Sequence, residues 1–362
     1  MNVRNIIFLR ERFPWMGAHS GYDQVCSAIT GQRPYNHYKD VWRKTGSLVW
    51  KCMNLVFKPL AANALGGPFY DFNSTVTEYK ALASSLIFRP DLIHMLYVEN
   101  NFGLLKDWRK RLGFRIIGTA HQPENWWQSV PRSPSHISSI DALIVVSSRE
   151  ASYFDRFLPG RVHYIPHGID TSFFRPGDDH PKSTRKDLRC VFSGRWLRDI
   201  GALTRIVDIV LSRNPLIRFD MIVPQRYRKD PVFSRLSRYS QVSWHADLSD
   251  EQLLQLYRCS SMLVLPVLDS TANNALLEAM ACGLPVISNK VGGVLDYTDT
   301  SFAELFSVGD VDGPAAAILH LTDNPEERQE RGRAARLYTE QHFSWQKIAD
   351  DTLAIYDKTL KS

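Results

Sequence analysis

Short apolar runs alternate along this chain with longer stretches of helical periodicity. NIIFL (5–9), DLIHMLY (91–97), RIIGT (115–119) and DALIVV (141–146) form a first series, and LRCVFS (188–193), IRFDMIV (217–223), SMLVLP (261–266) and PVIS (285–288) a second. Unbroken apolar runs of this length, separated by helical patterns, predict parallel strands in βαβ units. The expected fold class is therefore α/β, with two Rossmann-like, doubly wound domains. SDEQLLQLYRCS (249–260) reads as one of the helices, with Ser249 as its cap and Asp250 and Glu251 suited to the first turn. Between the two series, the polar RPGDDHPKSTRKD (175–187) marks a linker, placed at 171–187. The domains are then expected over 1–170 and 188–344, with ligands at the carboxyl ends of the strands, where the two domains face each other.

One segment carries more than a pattern. In NNALLEAMACGLPVIS (273–288), Asn273 can cap a helix, Leu276 with Met280 and Leu277 with Ala281 form apolar i, i+4 pairs, and Gly283 ends the helix before Pro285. A helix N-terminus offers unpaired N–H groups and the positive end of the macrodipole, so a phosphate fits there. The single carboxylate, Glu278, can accept from sugar hydroxyls, or it can be no more than a favourable charge near a helix start. A nucleotide sugar carries both kinds of group.

The chain has 362 residues, 44% hydrophobic and 23% charged, which suits a folded protein of about two domains and excludes a disordered or low-complexity one. The five cysteines are scattered without a CxxC pair, which favours reduced thiols in the cytoplasm over a disulfide framework or a zinc site. No run reaches the roughly 18 apolar residues of a membrane span, and Arg4, Arg10, Glu11 and Arg12 stand where a signal peptide needs apolar residues. The net charge of +6 is uneven, with 20 Lys/Arg against 12 Asp/Glu in residues 1–165 and 24 against 26 in the rest. No nucleic-acid-binding motif accompanies the basic half, so the expected partner is an anionic membrane surface or acceptor rather than nucleic acid. Within 35–60, Tyr38, Trp42, Trp50 and Phe57 are interleaved with Lys39, Arg43, Lys44, Lys51 and Lys58, as in interfacial segments. The alternative is an ordinary amphipathic helix with a solvated basic face.

Several positions at strand ends hold candidate chemistry. Gly17 and Gly21, in the loop after the first strand, allow a close ligand approach or a plain tight turn before a helix bearing Val25, Ala28 and Ile29 on one face. His121, after the RIIGT strand, is a candidate sugar contact or a structural imidazole. Gly194, Arg195 and Arg198 follow LRCVFS, where guanidinium forks match diphosphate oxygens, although a surface pair of arginines is the plainer reading. DSTANN (269–274) fills the loop before the Glu278 helix with small polar side chains, among them Asn273 and Asn274, which can contact hydroxyls or phosphate as readily as they cap. Asp310 and Asp312 form a DxD in a glycine-flanked loop, and no metal is assigned to them.

The chain resembles the retaining glycosyltransferases of family 4, enzymes of the GT-B fold, also described as glycosyl transferases group 1. The landmarks are the glycine loop with SGYDQV, VHYIPHGIDTSFFRP, FSGRW, LSDEQLLQLYRCSSMLVLP, LLEAMACGLPVISNKVGGVLDY and FSWQKIADDTLAIYDKTL, covering nearly the whole length. The resemblance implies that residues 345–362 form a helix crossing back to the first domain. It also implies that Arg195 binds the donor diphosphate, Glu278 the nucleotide ribose and His121 the transferred sugar, with no metal or other cofactor. Two positions depart from the family pattern. Its first glutamate, which holds hydroxyls of the donor sugar, falls at Ser270, with Asp269 one place earlier as a candidate substitute. Its lysine falls at Ile200, leaving Arg198 as the nearest cation.

The expected function is transfer, with retention, of a hexose-type sugar from a nucleoside diphosphate donor to a saccharide or lipid-linked hydroxyl in polysaccharide, lipopolysaccharide or glycolipid synthesis. The expected location is the cytoplasm, peripheral to the inner face of the membrane. The rivals are a non-catalytic GT-B scaffold in a polysaccharide-assembly complex, motivated by the two departures, and a nucleotide-sugar epimerase or phosphorylase on the same architecture. A phosphorylase would need a pyridoxal lysine site, for which the sequence has no motif.

Overall fold

A computed structural model describes residues 4–13, 16–30, 34–35, 37–43, 52, 68–130, 134–177, 188–228 and 230–361. The chain divides into two compact units, one of Met1–Met16, Gly21–His167 and Trp345–Ser362, the other of Gly17–Ser20 and Gly168–Ser344. Most of the expected linker lies outside the described residues.

The first unit holds strands β1 (Asn5–Arg10), β2 (His37–Trp42), β3 (Leu92–Met95), β4 (Arg115–Ala120), β5 (Ala142–Val145) and β6 (Val162–Tyr164) in the order β2-β1-β3-β4-β5-β6, every pair parallel. Helices α1 (Gln24–Thr30), α2 (Phe72–Phe88), α3 (Leu105–Leu112), α4 (Glu124–Ser129) and α5 (Ser148–Asp155) connect them. Ile7, Ile93, Ile116 and Leu143 belong to a core closed by Trp127 and Phe154. The buried face of α1 is Val25, Cys26 and Ile29, so Cys26 takes the place expected of Ala28. Glu78 of α2 reaches the start of α3, where its carboxylate accepts the backbone N–H groups of Phe102, Gly103, Leu104 and Leu105.

The second unit holds β7 (Arg189–Ser193), β8 (Arg218–Ile222), β9 (Val242–His245), β10 (Met262–Leu265), β11 (Val286–Asn289) and β12 (Ala303–Phe306), ordered β12-β11-β10-β7-β8-β9 and again all parallel. Counted from β7, this is the 3-2-1-4-5-6 order of a dinucleotide-binding sheet, and its direction of winding reverses between β7 and β10. Helices α6 (Ile200–Arg213), α7 (Pro231–Ser234), α8 (Asp250–Cys259), α9 (Asn274–Ala281), α10 (Val294–Tyr297), α11 (Asp312–Asp323) and α12 (Pro325–His342) complete the unit. Ser249 caps α8 through a capping box with Gln252, as its sequence implied.

The last helix, α13 (Trp345–Lys361), belongs to the first unit and packs against α1. The His94 imidazole bridges its Tyr356 hydroxyl, 2.6 Å from Nδ1, to the Thr119 hydroxyl, 2.9 Å from Nε2, while Tyr35 donates to Asp357. Burial lowers the His94 pKa from 6.5 to about 3. The unfolded chain therefore takes up a proton near pH 6.5 that the folded chain refuses until about 3. The contribution of His94 to stability is complete above about pH 6.5 and is lost as pH falls through that window. Thermal denaturation of His94→Asn should show a shallower decline between about pH 6 and 4 than the parent protein.

Segment 35–60 is only partly described. Tyr38, Lys39 and Trp42 lie in β2, an edge strand rather than a helix, and Arg43 follows it. Lys44, Trp50, Lys51, Phe57 and Lys58 lie outside the described residues. All five cysteines are free. Among the described residues no helix is long and apolar enough to cross a membrane.

Candidate functional site

The loops that leave β7 and β10 meet where the second sheet reverses. Gly194 ends β7 with φ +94°, and a Cβ there would lie 3.0 Å from the Arg198 guanidinium, so glycine meets both the backbone and the space requirement. The next residues pair with the β10 loop through an antiparallel bridge between Arg198 and Val267, with the Leu268 N–H donating to the Leu197 carbonyl at 2.9 Å. Arg198 is partly buried and fixed at three points: Nε donates to Ser193 O at 3.0 Å, Nη1 to Trp196 O at 3.0 Å and Nη2 to Asn273 Oδ1 at 3.2 Å. Burial pulls its pKa down to about 10, which leaves it charged at neutral pH. These bonds engage three of the five guanidinium N–H groups.

Asn273 is the N-cap of α9, its side chain accepting from the Leu276 N–H, and Gly283 ends the helix with φ +79°. Arg198 therefore adds a cation beside the positive end of the helix, a setting suited to an anion. Within the same helix Glu278 is buried, and the Tyr257 hydroxyl donates to its Oε2 at 2.8 Å. Burial raises the pKa of Glu278, against the lowering hydrogen bonds of Ser20 and Tyr257, and raises that of Tyr257 as well. Asn274 is only partly buried.

A third loop, after β11, closes on the position of the missing glutamate. Gly292 has φ +45°, and a Cβ on it would lie 2.2 Å from Ser270 O and 2.7 Å from Asp269 Oδ1. The Gly293 N–H donates to Ser270 O at 2.7 Å, and Asp269 Oδ1 accepts from the Ser270 N–H at 2.8 Å. Residues Gly17–Ser20 belong to this same unit. The Ala18 N–H donates to Asp250 Oδ2 at 2.7 Å, and the space a Cβ on Gly17 would fill is taken by the Asp250 carboxylate. A protein side chain thus makes the close approach that the sequence left open to a ligand. Gly21 meets Asp23 in the same way.

Arg195 takes a different direction from Arg198. It pairs with Asp230 at 3.2 Å and lies over the Tyr227 ring at 4.4 Å, with its side chain about two-fifths exposed. Asp310 Oδ1 accepts from the Gly313 N–H, an ordinary loop bond, and Asp312 opens α11. Among the described residues no group of three or more His, Cys, Asp or Glu is placed to hold a metal ion.

In the first unit, His121 follows β4. Its Nε2–H donates to Leu96 O at 2.8 Å, its ring stacks on Tyr97 with centroids 4.4 Å apart, and Tyr22 meets it edge-on at 4.7 Å. Burial lowers its pKa to about 3, so the imidazole is neutral, with its tautomer set by Leu96. Its backbone N–H donates to Glu99.

The structure thus gathers Gly194, Arg198, Asp269, Ser270, Asn273 and Glu278 on the loops and helix around one sheet reversal and turns the Arg195 side chain toward Asp230. His121 and Gly21 are in the other unit. Sequence reasoning missed Tyr257, Gly292 and Glu99. A tyrosine one helix away and a carboxylate past another strand have no local pattern, whereas the GG of NKVGGV was a readable turn signal.

The family model described as "Glycosyl transferases group 1" matches residues 188–324, and that described as "Glycosyltransferase Family 4" matches residues 60–173. An MMP alpha-(1->4)-mannosyltransferase of Mycolicibacterium hassiacum is 24% identical over 276 residues, 69% of this chain and 67% of that protein. A D-inositol 3-phosphate glycosyltransferase of Streptomyces avermitilis is 25% identical over 62% of this chain and 53% of its own length, so the match spans about half of that relative. Among solved structures, a sucrose-phosphate synthase from Thermosynechococcus elongatus superposes with TM-score 0.74 at 17% identity over 98% of both chains. Anabaena HepE in complex with UDP-glucose superposes with TM-score 0.70 at 15% identity over 97% of this chain and 99% of that one. With one of these models on each half of the sequence and two parallel six-stranded sheets beneath them, the chain belongs to the group 1, family 4 glycosyltransferases and has the GT-B fold.

Proposed function

We propose that this glycosyltransferase moves a hexose-type sugar from a nucleoside diphosphate donor to an acceptor hydroxyl with retention at the anomeric carbon, in polysaccharide, lipopolysaccharide or glycolipid synthesis. The observation that carries the reading is the Arg198 guanidinium bonded to the N-cap Asn273 at the sheet reversal, where a fixed cation and the start of α9 face the same place. A diphosphate there gains charge as the sugar departs, and both groups stabilise that charge without reorganising. Arg195 takes the outer phosphate contact by leaving Asp230. Glu278 holds the ribose, Asp269 substitutes for the missing glutamate at the sugar, and neutral His121 contacts the transferred hexose. Gly17 and Gly21, whose open sides face the Asp250 and Asp23 carboxylates, have no donor contact in this scheme. No metal enters this scheme, so chelation should leave turnover unchanged.

The test is nucleotide release from a panel of nucleotide sugars, with and without a membrane extract as acceptor source. No release from any donor would favour the scaffold reading. A peripheral membrane role is favoured by the exposed Tyr38 and Trp42 of edge strand β2, with the Arg10 and Arg12 guanidinium carbons 4.5 and 5.9 Å from the Trp42 ring centre. Co-sedimentation with anionic vesicles should weaken as salt rises and weaken again in Trp42→Ala. Sedimentation indifferent to salt would count against membrane docking.

A further inference from the structure

The loop after β3 holds His121 twice, by its ring and by its backbone. Leu96 O accepts from the imidazole, while Glu99 Oε1 accepts the N–H of His121 and, at 2.9 Å, that of Gln122. Glu99 is 2% exposed, and its other oxygen, Oε2, is buried with no hydrogen-bond partner among the described residues. We propose that Glu99 is a titratable positioning residue whose protonation state sets how firmly the His121 backbone, and with it the imidazole, is presented at the carboxyl end of β4. The proposal rests on the reading of His121 as a contact of the transferred sugar.

A buried carboxylate with one oxygen unpaired is costly, and protonating that oxygen relieves the cost. Burial raises Glu99 from 4.5 to about 7, against the lowering effect of the His121 and Gln122 amides, and Glu11 raises it further. His167, its ring centre 6.5 Å from that of His121, and His94 both lower the His121 pKa, and Asp23 raises that of Tyr97. Glu11, at the end of β1, has its two oxygens on Arg43 and Asn100, and Arg43 also pairs with Asp71 at 2.8 Å. Tyr97, on the same loop, is raised by burial, and Glu99 contributes to that shift. His121 is neutral down to about pH 3. On Glu99 the buried Oε2, unpaired among the described residues, is where a proton settles as pH falls through about 7. The ionised form of Glu99 accepts the two amide N–H groups more strongly, because a charge-assisted bond is roughly twice as strong as a neutral one.

The experiment is to follow the backbone amide resonances of His121 and Gln122 in selectively 15N-labelled full-length protein from about pH 5.5 to 8.5. Both should shift together with a midpoint near 7, and Glu99→Gln should abolish the shift. Glu11→Gln should lower the midpoint by removing a like charge, which keeps the test alive if Glu99→Gln does not fold. With whichever nucleotide sugar is turned over, kcat should rise about tenfold through the same midpoint at constant KM. Glu99→Gln should stay at the low-pH level. Amides that do not titrate, or that titrate unchanged in Glu99→Gln, overturn the proposal, as does an unmoved midpoint in Glu11→Gln. If the amides titrate but no donor is consumed, the glycosyl-transfer reading fails and the Glu99–His121 coupling stands. Turnover with flat amides has the opposite meaning.

Discussion

Replacing Arg198 with alanine should lower kcat/KM for a nucleotide-sugar donor by about 10²-fold or more, the usual cost of deleting one preorganised group that faces developing charge. The residue is bound at Ser193, Trp196 and Asn273, so its charge is held in place before any donor arrives, and two N–H groups remain to meet phosphate. Arg198→Lys keeps a cation but loses the planar fork, and should recover only part of the rate. Arg195→Ala should act more on KM, since that side chain must first leave an exposed ion pair with Asp230. Steady-state kinetics with calorimetric binding of the nucleoside diphosphate of whichever donor is turned over decides between the two arginines. If Arg198→Ala leaves affinity and turnover intact while Arg195→Ala abolishes them, the assignment is wrong. Melting curves of each variant separate a loosened loop from lost chemistry.

Gly292→Ala should be a severely damaging single methyl group at the site in the second unit. The new Cβ would sit 2.2 Å from the carbonyl oxygen of Ser270, a backbone atom with no rotamer to escape through, at a φ of +45° that alanine rarely adopts. The loop carrying Asp269 and Ser270 would have to shift. We expect a loss of about 2–3 kcal/mol in stability, read as a fall in thermal midpoint, together with binding of the nucleotide-sugar donor weakened at least about tenfold. Gly309→Ala is the control, with a φ of +87° but nothing within 4 Å of the new methyl. It should cost about 1 kcal/mol of backbone strain and leave donor binding alone. Equal losses in the two variants would mean that conformation alone, and not the contact with Ser270, is what the site depends on.

The legibility of the fold follows burial. The eight strands read from the sequence are the inner four of each sheet, β1, β3, β4 and β5 in one and β7, β8, β10 and β11 in the other. A parallel strand covered on both sides must be apolar throughout, so MLVL and ALIV announce themselves. The four strands without an advance reading, β2, β6, β9 and β12, are the four sheet edges. HYKDVW and VHY meet water on the outer side, and the apolar run disappears with the second covering layer. The mixed aromatic and basic composition of 35–60 suggested an interface or an amphipathic helix, and the same solvent exposure makes its described part an edge strand.

At the site, the sequence by itself determined whatever depends on neighbours in the chain. It specified the Asn273 cap, the helix carrying Glu278, its glycine stop, and the strand-to-loop position of Gly194 and the arginines, because capping, periodicity and turn chemistry act within a few residues. Only the tertiary structure decided which of those groups work together. Asn273 is 75 residues from Arg198, Gly292 presses on Ser270 from the next strand, Tyr257 covers Glu278 from another helix, and Glu99 reaches His121 across two strand ends. Spacing along the chain cannot encode these pairings. They arise because parallel sheets bring the carboxyl ends of sequence-distant strands to one edge, where the reversal of winding leaves room between the loops.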